Sequence, residues 1–326
     1  MPEMTVIIVN WNGKRFLDDC LGSLRRQTFR DFETILVDNG SSDGSPEYVR
    51  SNFPEVRLIA LNENRGFTGG NLAGYEFATG NIIVLLNNDT EAEPAWLEEI
   101  HKAGTLHPHA GSFASKMMYF DDRGRIENCG FDLGAFGGTL DLGRDELDSS
   151  HWKTSREVFG ACGGAVAYRR SMLHHIGFLD PDFFMVYEDV DLSFRAQLHG
   201  YACIHIPTAI VFHRYRASLG SGSPRQVFYS QRNIEFVYFK NMPLGLILTS
   251  LPQRILYEIG AAIHSIGQGS AGPFVRSKWN AIQHLPSLWR KRRQIQRSKT
   301  VNASYIRSLM KPVFASKLSK LRSSLG

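Results

Sequence analysis

The first hundred residues alternate short apolar runs with helical patterns, and that alternation leaves few folds open. "TVIIV" (Thr5–Val9) precedes a segment whose Phe16, Cys20, Leu21 and Leu24 share one helical face. "TILVD" (Thr34–Asp38) precedes a short polar helix near Ser45-Pro46, and "VRLIAL" (Val56–Leu61) a Gly-rich lead into "NLAGYEFA". The fourth run, "IIVLL" (Ile82–Leu86), precedes a helix over Pro94–His107. Runs this apolar belong to strands buried on both faces, as in parallel sheets. Strand, helix, strand, helix at this spacing predicts an α/β fold with a doubly wound, mainly parallel sheet.

Further along the pattern loosens. From about Ser112 to Ser150 the pieces are Gly-rich and strand-like; a helix is expected from about Asp189, with Gly200 as its C-terminal stop. "ACIHI" and "AIVFH" return as two short strands, and "SLGSGSP" (Ser218–Pro224) has a hinge's composition. The net charge of +5 then divides sharply: residues 1–224 hold 20 Lys+Arg against 30 Asp+Glu, and residues 225–326 hold 17 against 2. That asymmetry predicts an acidic globular domain, 1–224, joined to a basic helical region, 225–326.

Four dispersed cysteines (Cys20, Cys129, Cys162, Cys203) without a CxxC pair argue against a disulfide framework or a cysteine-rich zinc site and fit a reducing cytosol. The opening "MPEMTVIIVNWNG" lacks the basic start and long apolar core of a signal peptide, and no stretch of about 18 apolar residues exists to span a bilayer. "GFTGG" does not match GxGxxG and no GxxxxGK[ST] occurs, which sets aside dinucleotide and P-loop readings.

Each early strand ends in polar residues: "VNWNG", "VDNGSSDGS", "NENRGFTGGN" and "NNDT". In an open parallel sheet, ligands gather beyond the carboxyl ends of the strands, so four polar ends at one edge mark a candidate site. Asp38 suits a nucleobase imide or a ribose hydroxyl. Asn64, Arg65, Gly66, Gly69 and Gly70 offer N–H groups and a guanidinium suited to phosphate, although tight turns explain the glycines equally well. Glu188, Asp189 and Asp191 in "YEDVDLSFR" exceed what a helix cap needs. His213 ends a strand in "IVFHRYRASLGS", with Ser218 five residues on; a lone histidine there is more often structural than a ligand.

Together these motifs resemble family 2 of the inverting glycosyltransferases, which have the GT-A fold, over roughly Met4 to Ser223. "VIIVNWNG", "VDNGSSDGS", "ENRGFTGGNLAG", "LLNNDT", "FGACGGAVAYRR" and "YEDVDLSFR" carry the resemblance in the family's order. The likeness implies a nucleotide-sugar site formed by Val9, Asn10, Asn12, Asp38, Asn64, Arg65, Gly66, Gly70, Asn71, Asn87 and Asn88. It implies an acceptor-side loop of Gly160, Ala161, Cys162 and Gly163, and a general base at Asp189, with Glu188 the second choice and Asp191 a support for the helix start. It also implies a divalent cation, Mg2+ or Mn2+, on Asp89 and His213. Asn87 stands where the family's DxD motif has its first acid, one carboxylate fewer for that cation.

The branch resembled, that of the rhamnosyltransferases, implies dTDP-rhamnose as donor and a glycan or lipid-linked glycan acceptor in cell-surface polysaccharide synthesis; UDP-hexoses and UDP-N-acetylhexosamines stay open. Two other classes also remain. A sugar-phosphate nucleotidyltransferase would share a metal-bearing α/β sheet, and a non-catalytic membrane-associated binding protein would explain the missing acid.

In the basic region, Ile255, Leu256, Ile259, Ala262, Ile263 and Ile266 recur at helical spacing, followed by Trp279, Ile282, Leu285, Leu288 and Trp289 up to "RKRRQIQR". Pro243, Pro252, Pro273 and Pro286 are expected to cut this region into short pieces. Basic, Trp-bearing amphipathic helices suit an anionic membrane surface, which predicts peripheral attachment at the inner face of the cell membrane and no nucleic-acid partner. The competing account packs these faces on the catalytic domain or on a second copy in a homo-oligomer.

Overall fold

The computed structural model describes residues 1–214 and 223–312; Ser218 and most of the expected hinge lie outside them. The chain begins with β1 (Met4–Asn10), α1 (Leu17–Arg25), β2 (Phe32–Asn39), α2 (Ser45–Asn52), β3 (Arg57–Leu61), α3 (Gly66–Tyr75) and β4 (Ile82–Asn87). The alternation read from the sequence is therefore present element by element. Short β5 (Thr90–Ala92), α4 (Trp96–Leu106) and the long β6 (Ala110–Tyr119) follow. Next come β7 (Ile126–Asn128), β8 (Phe131–Gly134), β9 (Thr139–Asp141), β10 (Arg156–Val158), β11 (Ala165–Arg169), α5 (Arg170–Ile176), α6 (Glu188–Leu198) and β12 (Ala202–His213).

The main sheet runs β10-β12-β6-β11-β4-β1-β2-β3. β4, β1, β2 and β3 are parallel, β11 is antiparallel between β4 and β6, and β12 returns parallel to β6. Alternation along each strand feeds two cores. Val6, Ile8, Leu36, Val84 and Leu86 meet α1 and α4 on one face, whereas Ile7, Ile35, Val37, Ile83 and Leu85 meet α5 and α6 on the other. Burial on both faces is why these runs read as uniformly apolar.

Two expectations about elements are corrected. "ACIHI" and "AIVFH" form the single strand β12, in which a register shift between Ile206 and Ile210 accommodates Pro207, a residue without an N–H to give the ladder. Beyond it, α7 (Pro224–Asn241), α8 (Leu244–Gly267), α9 (Ala271–Gln283), α10 (Leu285–Ser298) and α11 (Ala303–Leu309) carry the basic region, and β13 (Met310–Lys311) pairs with β8. Pro252 does not cut this region, because it lies inside the 24-residue α8. Pro224, Pro273 and Pro286 fall in first turns, where a missing N–H costs little. Leu288 points inward and is buried, unlike the rest of its expected face. Among the described residues no helix is long and apolar enough to cross a membrane, and all four cysteines are free.

α7 does not stand apart from the first 214 residues. Its Phe236, Val237 and Tyr238 share a third core with Phe131, Phe159, Phe183, Val190 and Phe194.

Candidate active site

The carboxyl ends of β1, β2 and β4 meet in a hydrogen-bonded floor. Asn10 Nδ2 donates to Asp38 Oδ1 (3.1 Å), and Asn10 Oδ1 accepts from Asn88 Nδ2 (2.7 Å). Asp38 Oδ2 accepts the Ser41 N–H (2.9 Å), while Asn12 trades bonds with Ser41 and Ser42. Over this floor opens a cleft lined by Val9, Trp11, Asn39, Asn64, Gly66, Phe67, Asn87, Asn88, Asp89, Phe184, Met185 and Arg225. Six residues expected from the sequence (Val9, Asn64, Gly66, Asn87, Asn88, Asp89) thus line one cavity.

Others stand beside it. Arg65 is exposed and turns toward Glu63 (3.7 Å), whereas Arg225, from the first turn of α7, reaches the cleft and stacks over Phe184 (4.7 Å). Asn71 bonds the Phe67 carbonyl within α3. Gly70 has a packing reason, since a Cβ there would lie 2.6 Å from a Val9 methyl; Gly66, at φ +72°, begins α3 directly under Phe184. Asn39 was not foreseen, yet it ties the loop: it receives the Arg65 N–H and donates to Asn64 Oδ1 and the Gly66 carbonyl.

Beyond β4, Asp89 and His213 come together. His213 Nε2 lies 3.1 Å from Asp89 Oδ1 and 3.4 Å from Asn87 Nδ2, and Nδ1 lies 2.7 Å from Glu127 Oε2. Burial alone would lower the His213 pKa, but its hydrogen bonds to Asp89 and Glu127, with their charges, push it up to about 10. Glu127 was missed because it falls in the stretch without periodicity. It orients the imidazole as a carboxylate behind a metal-bound histidine does. Among the described residues no three His, Cys, Asp or Glu side chains gather to hold a metal. One carboxylate, one imidazole and an amide nonetheless fit a hard divalent cation whose remaining ligands come from a diphosphate and water.

The loop 160–164 links this corner to the acidic helix start. Asn87 N–H donates to the Gly164 carbonyl (2.9 Å), and Gly163 N–H donates to Asp189 Oδ2 (2.8 Å). Asp189 Oδ1 takes the Val190 N–H (2.8 Å). Burial raises the Asp189 carboxyl to about 6 in spite of these two donors. Glu188 is 5% exposed, its Oε2 has no hydrogen-bond partner, and burial beside Asp189 pushes its pKa well above the ordinary value. Asp191 is an anchor, bonded to Arg195 (3.0 Å), Lys240 (2.7 Å) and Asn241 (2.7 Å). Gly160 bridges to Phe131, Ala161 is buried, and Cys162 is half-buried with a thiol raised by burial.

A half-buried carboxylate stands beside a polar cleft at the carboxyl ends of an α/β sheet, and the fold that carries both is GT-A. The fold is that of GalNAc-T7 with UDP, GalNAc and Mn2+ (TM-score 0.56, 16% identity, 74% of this chain and 50% of that one). It is also that of the mannosyltransferase PcManGT from Pyrobaculum calidifontis in complex with GDP-Man and Mn2+ (TM-score 0.53, 18% identity, 98% and 87%). Residues 5–177 match Glycosyl transferase family 2, and the chain belongs to that family. A curated relative, the N-acetylglucosaminyl-diphospho-decaprenol L-rhamnosyltransferase of Mycobacterium tuberculosis, is 26% identical over 240 residues, 67% of this chain and 78% of the relative.

Proposed function

We propose that this glycosyltransferase moves rhamnose from dTDP-rhamnose, with inversion, onto a hydroxyl of a lipid-linked glycan in cell-surface polysaccharide synthesis. Residues 1–224 supply the transfer site, and residues 225–326 keep the enzyme peripheral at the inner face of the cell membrane. The rhamnosyl donor and lipid-linked acceptor are supported by the mycobacterial relative, an N-acetylglucosaminyl-diphospho-decaprenol L-rhamnosyltransferase. A UDP-sugar donor is the second reading, favoured by the UDP and GalNAc bound to GalNAc-T7.

The observation that carries the chemistry is Asp189, held by the Gly163 and Val190 N–H groups with a carboxyl raised to about 6. A base tuned near neutrality accepts the acceptor hydroxyl's proton as that oxygen attacks the anomeric carbon. A single displacement opposite the leaving diphosphate inverts the anomeric centre. Asn10, Asn12, Asp38 and Asn88 shape the nucleoside side, Asn64, Gly66 and Arg225 the phosphate side with Arg65, Gly70 and Asn71 behind them, and Gly160 to Gly163 the acceptor side. Asp89 and His213, with Asn87 beside them, would hold Mg2+ or Mn2+, which when bound offsets the charge of the leaving diphosphate.

Incubation with candidate sugar nucleotides and Mn2+ is expected to release nucleoside diphosphate, most with dTDP-rhamnose. Asp89→Ala should abolish that release, and Asn87→Asp should keep or improve it. Pyrophosphate release would point to a nucleotidyltransferase, and donor binding without turnover to a non-catalytic protein. Undiminished turnover in excess chelator would remove the cation.

A further inference from the structure

α8 is built inside out. A helix on a protein surface ordinarily turns its apolar stripe to the core and its polar face to water. Here Ser250, Arg254 and Ser265 are buried, while Leu248, Leu251, Ile255, Ile259, Ile263 and Ile266 are exposed, Ile255 by 50% and Ile263 by 66%. The orientation is locked from beneath. Arg254 pairs with Glu235 of α7 and with Glu258, and Lys278 of α9 holds the same two carboxylates. Arg254 also donates to the Phe136 carbonyl (2.8 Å). Rolling the helix to hide its isoleucines would break the Arg254–Glu235 and Lys278–Glu258 pairs that tie it to α7 and α9, so the apolar face is held outward.

The neighbouring helices continue the theme: Trp279 is 62% exposed, and Ile282 and Trp289 are exposed beside it in sequence. The "RKRR" run divides by role. Lys291 binds Asp180 and Asp182, and Arg292 donates to the Phe239 and Met242 carbonyls. Arg290, Arg293 and Arg297 instead line an open groove on α10. The only two acidic residues after position 224, Glu235 and Glu258, are both consumed beneath α8. A second copy that met this face with its own would therefore bring a surface of the same sign. An anionic leaflet offers acyl chains to the isoleucines, an interfacial layer to the tryptophans and phosphates to the arginines.

We propose that the exposed face of α8, with the tryptophans of α9 and α10 and the three arginines of α10, seats the enzyme on an anionic lipid surface. This seat deepens the peripheral location proposed above. It is read with neither donor nor acceptor present, so failure to bind lipid and failure to transfer sugar are separate results.

The test is co-sedimentation of the full chain with phosphatidylcholine vesicles and with vesicles that also contain phosphatidylglycerol, at low and high salt. Wild type should favour the anionic vesicles and lose affinity as salt rises. The triple variant Arg290→Gln/Arg293→Gln/Arg297→Gln should bind them roughly 100-fold more weakly, at about fivefold per charge. Ile255→Glu/Ile259→Glu should lose both vesicle types while keeping the wild-type melting temperature, because those side chains face outward. Three results would overturn the seat. Wild type could stay in the supernatant with every vesicle; the Glu pair could melt lower, showing a face packed within the protein; or light scattering could reveal a lipid-free dimer that the Glu pair dissolves, showing a second copy as the occupant.

Discussion

Glu188 and Asp189 are neighbours in sequence with different surroundings. Glu188 is walled in, and its Oε2 meets no donor; Asp189 reaches the loop 160–164 and takes two N–H groups. A raised carboxyl works as a base only once ionised, so turnover should rise with pH through about 6 and level off above it. The pH profile of kcat/KM checks this, and an acid limb near the ordinary carboxylate range would argue against Asp189. Asp189→Asn should lose roughly 10²-fold or more above the limb and abolish the limb itself, and Glu188→Gln should keep it. The acidic helix start stood out because three acids in four positions exceed what a cap requires, and the choice of Asp189 among them came from the family resemblance. Glu127 and Arg225 were not, since each reaches the site through tertiary packing from a stretch with no pattern of its own.

Among the elements, the turn before α6 has the most unusual backbone. Val186 (φ 61°) and Tyr187 (φ 73°) both lie in the left-handed region, at roughly 1–3 kcal/mol each for residues with side chains. Asn233 of α7 clamps that turn by donating to the Met185 and Val186 carbonyls (2.9 and 2.7 Å), worth about 1 kcal/mol apiece. The bonds offset only part of the strain, so the buried Phe183 and Met185 must hold the rest. Asn233→Ala should cut kcat more than it raises KM for the donor, since it frees the helix start that aims Asp189. Wild-type kcat in Asn233→Ala would show the turn to be set by packing alone. Strands β1, β2 and β4 were legible because burial on both faces writes an unbroken apolar run, whereas β3 is half-exposed at the sheet's edge. The join across Pro207 was hidden, because a proline inside a strand reads as a break.

For the whole molecule, the sequence placed a compositional seam at residue 224, and the packing crosses it. α7 fills a core with Phe159, Phe183 and Phe194, and its Lys240 meets Asp180 and Asp191. Charge counts report what a surface carries and are silent about what a helix buries, so α7 looked like the start of an appendage. A chain ending at residue 223 should lose its cooperative thermal transition and bind a hydrophobic dye such as ANS. A truncated chain that melts like the full one would show α7 to be dispensable for the fold.

The Asn233 clamp also gives the enzyme an order of birth. A growing chain leaves the ribosome N-terminus first, so the strands finished at Asn87 and the helix bearing Asp189 come out ahead of residue 233. The amide that secures the catalytic turn arrives only with α7, immediately ahead of α8. The turn that carries Asp189 is therefore completed only as α7 arrives, next to the helices that we assign to the lipid surface.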